Sequence, residues 1–148
     1  MDTTEKYIKM CEKAEEIQGL LDEEEDGNYL YVKKTQSIKI TGHPWFYWLE
    51  NYGNGNPCQQ WVSYYWESDS PDYYGQDVVW LPRQDQLQEM IAKPKYNLAK
   101  LRAITHFIMN EYGISIDWSM EQLWLAFVMK ERWNKVWDGE KWEESVKD

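Results

Sequence analysis

The sequence predicts an α+β fold in one domain: an antiparallel sheet of four or five strands packed with an N-terminal helix and three C-terminal helices. Three observations predict it. Apolar residues recur at helical spacing at the start of the chain and again after residue 82. Between them, residues 28–81 are rich in Tyr, Trp and Val, alternate in polarity and are broken by turn residues. At the junction, Asp77-Val78-Val79-Trp80-Leu81 reads as a short buried strand, and Pro82 ends it. Proline has no N–H to give a central ladder but suits the first turn of a helix. A chain of 148 residues is long enough to bury a core.

The first element is an amphipathic helix over Thr4 to Leu21. Tyr7, Met10, Cys11, Ala14, Ile17 and Leu21 form its inner stripe, with Thr3 or Thr4 as cap. Glu12, Glu15 and Glu16 lie off that stripe, toward water. The run Asp22-Glu23-Glu24-Glu25-Asp26 and Gly27-Asn28 follow as a turn. Carboxylates there oppose the helix macrodipole, so the run does not serve the helix. Tyr29 to Lys34 and Gln36 to Ile40 are strand-like, with Leu30/Val32 and Ile38/Ile40 alternating. Further strands are expected at Trp45 to Leu49 and Gln60 to Glu67, joined by Asn51 to Pro57, whose Asn-Gly step favours a tight hairpin.

Beyond Pro82, Gln84, Leu87, Met90 and Ile91 fall at helical spacing, and Pro94 stops that helix near Ala92. Asn97 to Tyr112 is a longer helix. Its expected stripe is Leu98, Leu101, Ile104, Ile108 and Tyr112, with Gly113 as the stop. Ser119-Met120-Glu121-Gln122 matches a capping box, and the seven apolar residues from Leu123 to Met129 mark the central core helix. Trp137-Asp138-Gly139-Glu140-Lys141-Trp142 is a turn whose two Trp can fold back on the body, with fraying after Trp142.

Four blocks carry a resemblance. They are Met10 to Gln18 (MCEKAEEIQ), Trp80 to Met90 (WLPRQDQLQEM), Glu121 to Glu131 (EQLWLAFVMKE) and Val136 to Trp142 (VWDGEKW). In these blocks the chain resembles small proteins of bacteriophages and prophages, mostly from Gram-positive hosts, to which no activity is attached. The resemblance implies a phage or prophage origin and a bacterial cytoplasm. It assigns no functional residue.

Charge and composition bound the function. The net charge is −10, and residues 1–26 hold ten acids and three Lys, a balance of −7 against −3 for the rest. Such a surface repels nucleic acid, whose binding depends on cations, and favours a basic protein partner. No apolar run is long enough to span a membrane, and the start, Met-Asp-Thr-Thr-Glu, shows no basic, apolar leader. Cys11 and Cys58 make no disulfide framework. Neither shares a metal-ligand spacing with His43 or His106, so no metal and no cofactor are expected. Gly53-Asn54-Gly55 lacks the Lys-Ser/Thr of a phosphate loop, and no nucleophile motif occurs.

The aromatic belt is the remaining signal. Twelve aromatics lie within the thirty-six residues from Trp45 to Trp80, and no Lys or Arg occurs between Lys39 and Arg83. Single-strand nucleic-acid sites need both stacking rings and cations, and this stretch has only the rings.

The functional expectation is a non-enzymatic accessory protein binding a host protein with a basic surface. Its acidic patch would be Glu12, Glu15, Glu16, Asp22, Glu23, Glu24, Glu25 and Asp26. Carboxylates ~5–6 Å apart on a helix can imitate a phosphate ladder. Trp45, Trp48, Trp61, Tyr64, Trp66, Arg83 and Gln84 would add anchors. The alternative is a protein that sequesters a nucleotide-like ligand through Arg83 and the belt. A third is an enzyme whose acid/base pair the sequence does not single out.

Overall fold

In the computed structural model, which describes residues 1–22, 25, 27–34, 36–41 and 78–146, Thr4 opens the first helix as expected. Its Oγ1 accepts from the Tyr7 N–H at 3.3 Å. Helix α1 spans Glu5–Glu12 and α2 spans Glu15–Gln18, so the single helix expected to Leu21 is broken. Ala14 leaves the helical region at φ −90°, ψ 70°. Its N–H turns to the Cys11 carbonyl, which also accepts from the Gln18 amide at 3.0 Å. The break keeps the inner stripe intact: Tyr7, Met10, Cys11, Ala14 and Ile17 are all fully buried.

The chain divides into two compact units: residues 20–81 form one, and residues 1–19 with 82–148 form the other. In the 20–81 unit, β1 (Tyr29–Val32) lies between β2 (Ser37–Ile40) and β3 (Val78–Leu81), both antiparallel to it. Leu30 faces Trp80 and Val32 faces Val78 in the register. Leu30 and Val32 are buried while Tyr29 and Tyr31 are half-buried, so the expected alternation holds. Strand β3 buries Val79, Trp80 and Leu81 in succession, as a strand covered on both faces must. The strands expected at 45–49 and 60–67 lie outside the described residues.

In the other unit, Pro82 stands one residue before the cap rather than in the first turn. Helix α3 is Gln84–Glu89 with Arg83 as N-cap. Arginine has no acceptor to offer, so the cap works from the other side: the Gln86 Oε1 accepts from the Arg83 N–H at 2.9 Å. Leu87 and, just past the helix, Ile91 point into the core as expected. The Pro82 carbonyl accepts the buried Tyr7 hydroxyl at 2.6 Å, which ties α1 to the start of α3.

Helix α4 spans Asn97–Glu111 and α5 spans Met120–Trp133. Six consecutive residues of α5, Trp124 to Met129, are buried, which makes it the central helix that its apolar run predicts. The stripe expected on α4 is only half buried. Ile104 and Ile108 are inside, joined by Phe107, but Leu98 is 82% exposed and Leu101 44%. The cause is where α4 meets α5. The Phe107 ring packs 5.8 Å from Phe127 and 5.8 Å from Tyr112, which anchors only the second half of the helix. Gly113, at φ +88°, ends α4 and donates to the Ile108 carbonyl, as expected.

Asn134 in the left-handed region (φ 54°) turns α5 into a hairpin of β4 (Lys135–Trp137) and β5 (Trp142–Glu144). Both Trp fold back. Their rings lie 5.0 Å apart, and the Trp142 indole donates to the Met10 carbonyl at 2.9 Å. The fraying expected after Trp142 is not seen through Ser145, whose N–H reaches the Asn134 carbonyl at 2.7 Å. The molecule is therefore α+β, but its described strands form one three-stranded and one two-stranded antiparallel sheet rather than one larger sheet.

Candidate functional site

The expected acidic residues fall in both units. On the first helices Glu12 and Glu15 are exposed, as their place off the apolar stripe requires. Glu16 is half-buried and ion-paired to the Lys135 ammonium. Partial burial alone would raise the Glu16 pKa, but the Lys135 contact outweighs it and holds the carboxyl below the ordinary range. Glu16 is thus a clamp between α2 and β4 as much as a surface charge.

In the 20–81 unit, Asp22 and Glu25 are exposed, and the backbone beneath them is pinned. Asn28 is fully buried, and its side-chain amide donates to the Asp22 carbonyl at 2.8 Å and to the Glu25 carbonyl at 3.1 Å. The Thr41 hydroxyl donates to the same Glu25 carbonyl at 2.9 Å and accepts from the Asn28 N–H. An amide side chain is the residue type suited to this task, because it can give two hydrogens to two carbonyls at once. The backbone carbonyls of Asp22 and Glu25 are therefore held by Asn28 and Thr41. Glu23, Glu24 and Asp26 lie outside the described residues.

Of the two anchors expected at the junction, Arg83 is engaged within its own helix. The Arg83 guanidinium forks onto Asp85, with Nε to Oδ1 at 3.1 Å and Nη2 to Oδ2 at 3.1 Å. This contact holds the Asp85 carboxyl below its ordinary pKa. Gln86 is buried in its capping role, and Gln84 is half-buried beside it. Trp45, Trp48, Trp61, Tyr64 and Trp66 lie outside the described residues, as do Cys58 and His43. Cys11 is buried, and burial raises its thiol pKa far above the ordinary value. His106 is exposed and contacts the Asn110 amide at 3.1 Å. Among the described residues, no group of three or more His, Cys, Asp or Glu is arranged to hold a metal, and no helix is long and apolar enough to cross a membrane.

One site was missed by the sequence reading. A groove of about 930 Å³ runs between α4 and α5. Phe107 and Phe127 supply its apolar floor, and Ala99 and Ala103 leave room on the α4 side. Arg102, His106 and Lys130 stand among its polar lining, with Glu111 and Glu131. Lys130 is steadied by Asn134, 2.7 Å away, whereas the Arg102 guanidinium has no hydrogen bond or ion pair among the described residues. The signal was in the sequence: from Met90 to Asn110 there is no acid, while Lys93, Lys95, Lys100 and Arg102 all occur there.

No protein-family model, no curated protein and no solved structure matches this chain.

Proposed function

We propose that the protein works by recognition, presenting carboxylates to a basic surface of another protein, and that it has no turnover of its own. The observation that carries this reading is the acidic turn held by Asn28 and Thr41. Its exposed Asp22 and Glu25 each have their carbonyl held by a side chain of the same unit, a hold that lowers the ordering cost of association at those two residues. The carboxylates with perturbed ionisation point the same way. Asp2 accepts from the cap residues Thr4 and Ser119, Glu16 clamps a hairpin, Asp85 holds Arg83 and Asp138 closes the hairpin turn, so each supports the fold rather than a reaction. On the resemblance to phage proteins, the partner is a host protein, and a basic nucleic-acid cleft such as that of a defence nuclease has the matching charge.

Affinity capture from a bacterial lysate tests this, run at about 50 mM and about 500 mM salt, since screening at the higher concentration shortens the reach of surface charges to a few ångströms. A basic protein should be retained at low salt and lost at high salt. It should also be lost from the variant carrying Glu12→Gln, Glu15→Gln, Asp22→Asn and Glu25→Gln together. Retention that ignores both changes would rule out the acidic surface as the binding element.

A further inference from the structure

Two helix faces wall the groove between α4 and α5, and each has the spacing of a face that packs on another helix. On α4 the lining falls at Ala99, Arg102, Ala103, His106 and Asn110, in steps of i, i+3, i+4, i+7 and i+11. On α5 it falls at Phe127, Lys130, Glu131 and the cap residue Asn134, in steps of i, i+3, i+4 and i+7. Rows of this kind are the ridges and grooves by which helices interlock. The two alanines let another backbone come close, and the groove is open to solvent rather than enclosed.

The charge of the lining selects the occupant. Arg102 and Lys130 balance Glu111 and Glu131, so a wholly acidic or wholly basic partner would meet two like charges. A second copy of this chain carries the same two signs in the same spacing, and a two-fold axis brings unlike ends together. Arg102 and Glu111 lie ~13 Å apart along α4, at 1.5 Å per residue, too far to pair within one chain. Antiparallel α4 helices related by a two-fold between His106 and Phe107 set each Arg102 opposite Glu111 of the other copy. The same register sets each Ala103 opposite Asn110. Two chains of charge −10 repel each other, but residues 90–110 hold four cations and no acid, so approach along α4 is the least opposed.

We propose that the α4–α5 groove is a two-fold interface at which a second copy of this chain docks, with its α4 antiparallel to the first. Each α4 lies in the groove of the other copy, over Ala99 and Ala103, and the Arg102–Glu111 contact is made twice. The dimer goes beyond the proposed function. It presents the exposed Glu12 and Glu15 in duplicate, which adds avidity toward a target with two basic sites.

Sedimentation velocity of the whole protein alone, over micromolar concentrations, tests the proposal. A reversible monomer–dimer equilibrium is expected. Arg102→Glu and Glu111→Arg, each alone, set like charges face to face twice and should raise the dimer dissociation constant at least tenfold. An equimolar mixture of these two variants restores both unlike pairs and should dimerise at least tenfold more tightly than either variant alone. Ala103→Trp should also raise the constant at least tenfold, by holding the helices apart. Circular dichroism of each variant should match the parent. The variant Glu12→Gln with Glu15→Gln should dimerise as the parent does, so the result is read independently of any host partner. A protein that stays monomeric, or whose mass grows past two copies, overturns the proposal. So does a dimer indifferent to Arg102→Glu and Ala103→Trp, or a mixture of the two charge variants no tighter than either alone.

Discussion

The Asp2 carboxylate accepts the Ser119 hydroxyl at 2.5 Å, across 117 residues of sequence. The same carboxylate takes the Gln122 amide at 2.6 Å and, through its other oxygen, the Thr4 N–H at 2.8 Å. Ser119 in turn caps α5 through the Gln122 N–H. One acid therefore joins the starts of α1 and α5. Hydrogen bonds to a charged acceptor contribute about 1.5–3 kcal/mol. Asp2→Ala should lower the unfolding free energy by about 2–3 kcal/mol, measured by urea denaturation.

Asp2 also makes stability depend on pH. Burial alone would raise its pKa, but the bonds from Ser119, Thr4 and Gln122 outweigh that and hold the carboxyl below its ordinary range. A carboxyl depressed in the folded state stabilises above its unfolded pKa, and that contribution is lost as pH falls through the folded one. The stability gap between the parent and Asp2→Asn should therefore be constant from neutral pH down to about 4 and close below it. A gap that widens on acidification would contradict the assignment.

Asn28 is a donor to two carbonyls, and that chemistry separates two substitutions. Asn28→Ala leaves the Asp22 and Glu25 carbonyls without its amide and should cost about 1–3 kcal/mol. Asn28→Asp keeps the shape but replaces the donor by a negative acceptor facing those same oxygens, so it should destabilise at least as much. Limited proteolysis of the acidic turn reads both: each variant should be cut faster than the parent.

Leu125 and Leu98 are the same residue type on neighbouring helices with opposite fates. Leu125→Ala, from a fully buried site, should cost about 2–5 kcal/mol. Leu98→Ala, at 82% exposure, should change stability by no more than about 0.5 kcal/mol. Equal effects in thermal denaturation would show that α4 is seated differently.

Cys11 gives a chemical readout of the same core. It is fully buried, and burial disfavours its thiolate. In a Cys58→Ser background a disulfide reagent at mildly alkaline pH should find no reactive thiol in the native protein and one in denaturant.

How far the fold could be read depended on whether the deciding contact was local. The Thr4 and Ser119 caps and the Gly113 stop are each set within a few residues, and each is where the pattern puts it. The break at Ala14 was not legible, because the groups that satisfy it, Cys11 and Gln18, fit an unbroken stripe equally well. The exposure of Leu98 was not legible either. Periodicity identifies an apolar face but says nothing of how much neighbour is there to cover it, and α5 covers only half. Of the site, the outward direction of Glu12 and Glu15 followed from the stripe. The roles of Glu16 and Arg83 depended on partners, Lys135 at long range and Asp85 two residues on, that competed for charges read as free.

The Trp142 indole on the Met10 carbonyl closes a ring across 132 residues of sequence. During synthesis the opening nineteen residues leave the ribosome long before the tail that shelters them, while the segment 20–81 emerges complete in between. Tyr7, Met10 and Ile17 must then wait, greasy side out, until the residues beyond 81 arrive. The twin burden is a slow, distant closure and an early need for shelter.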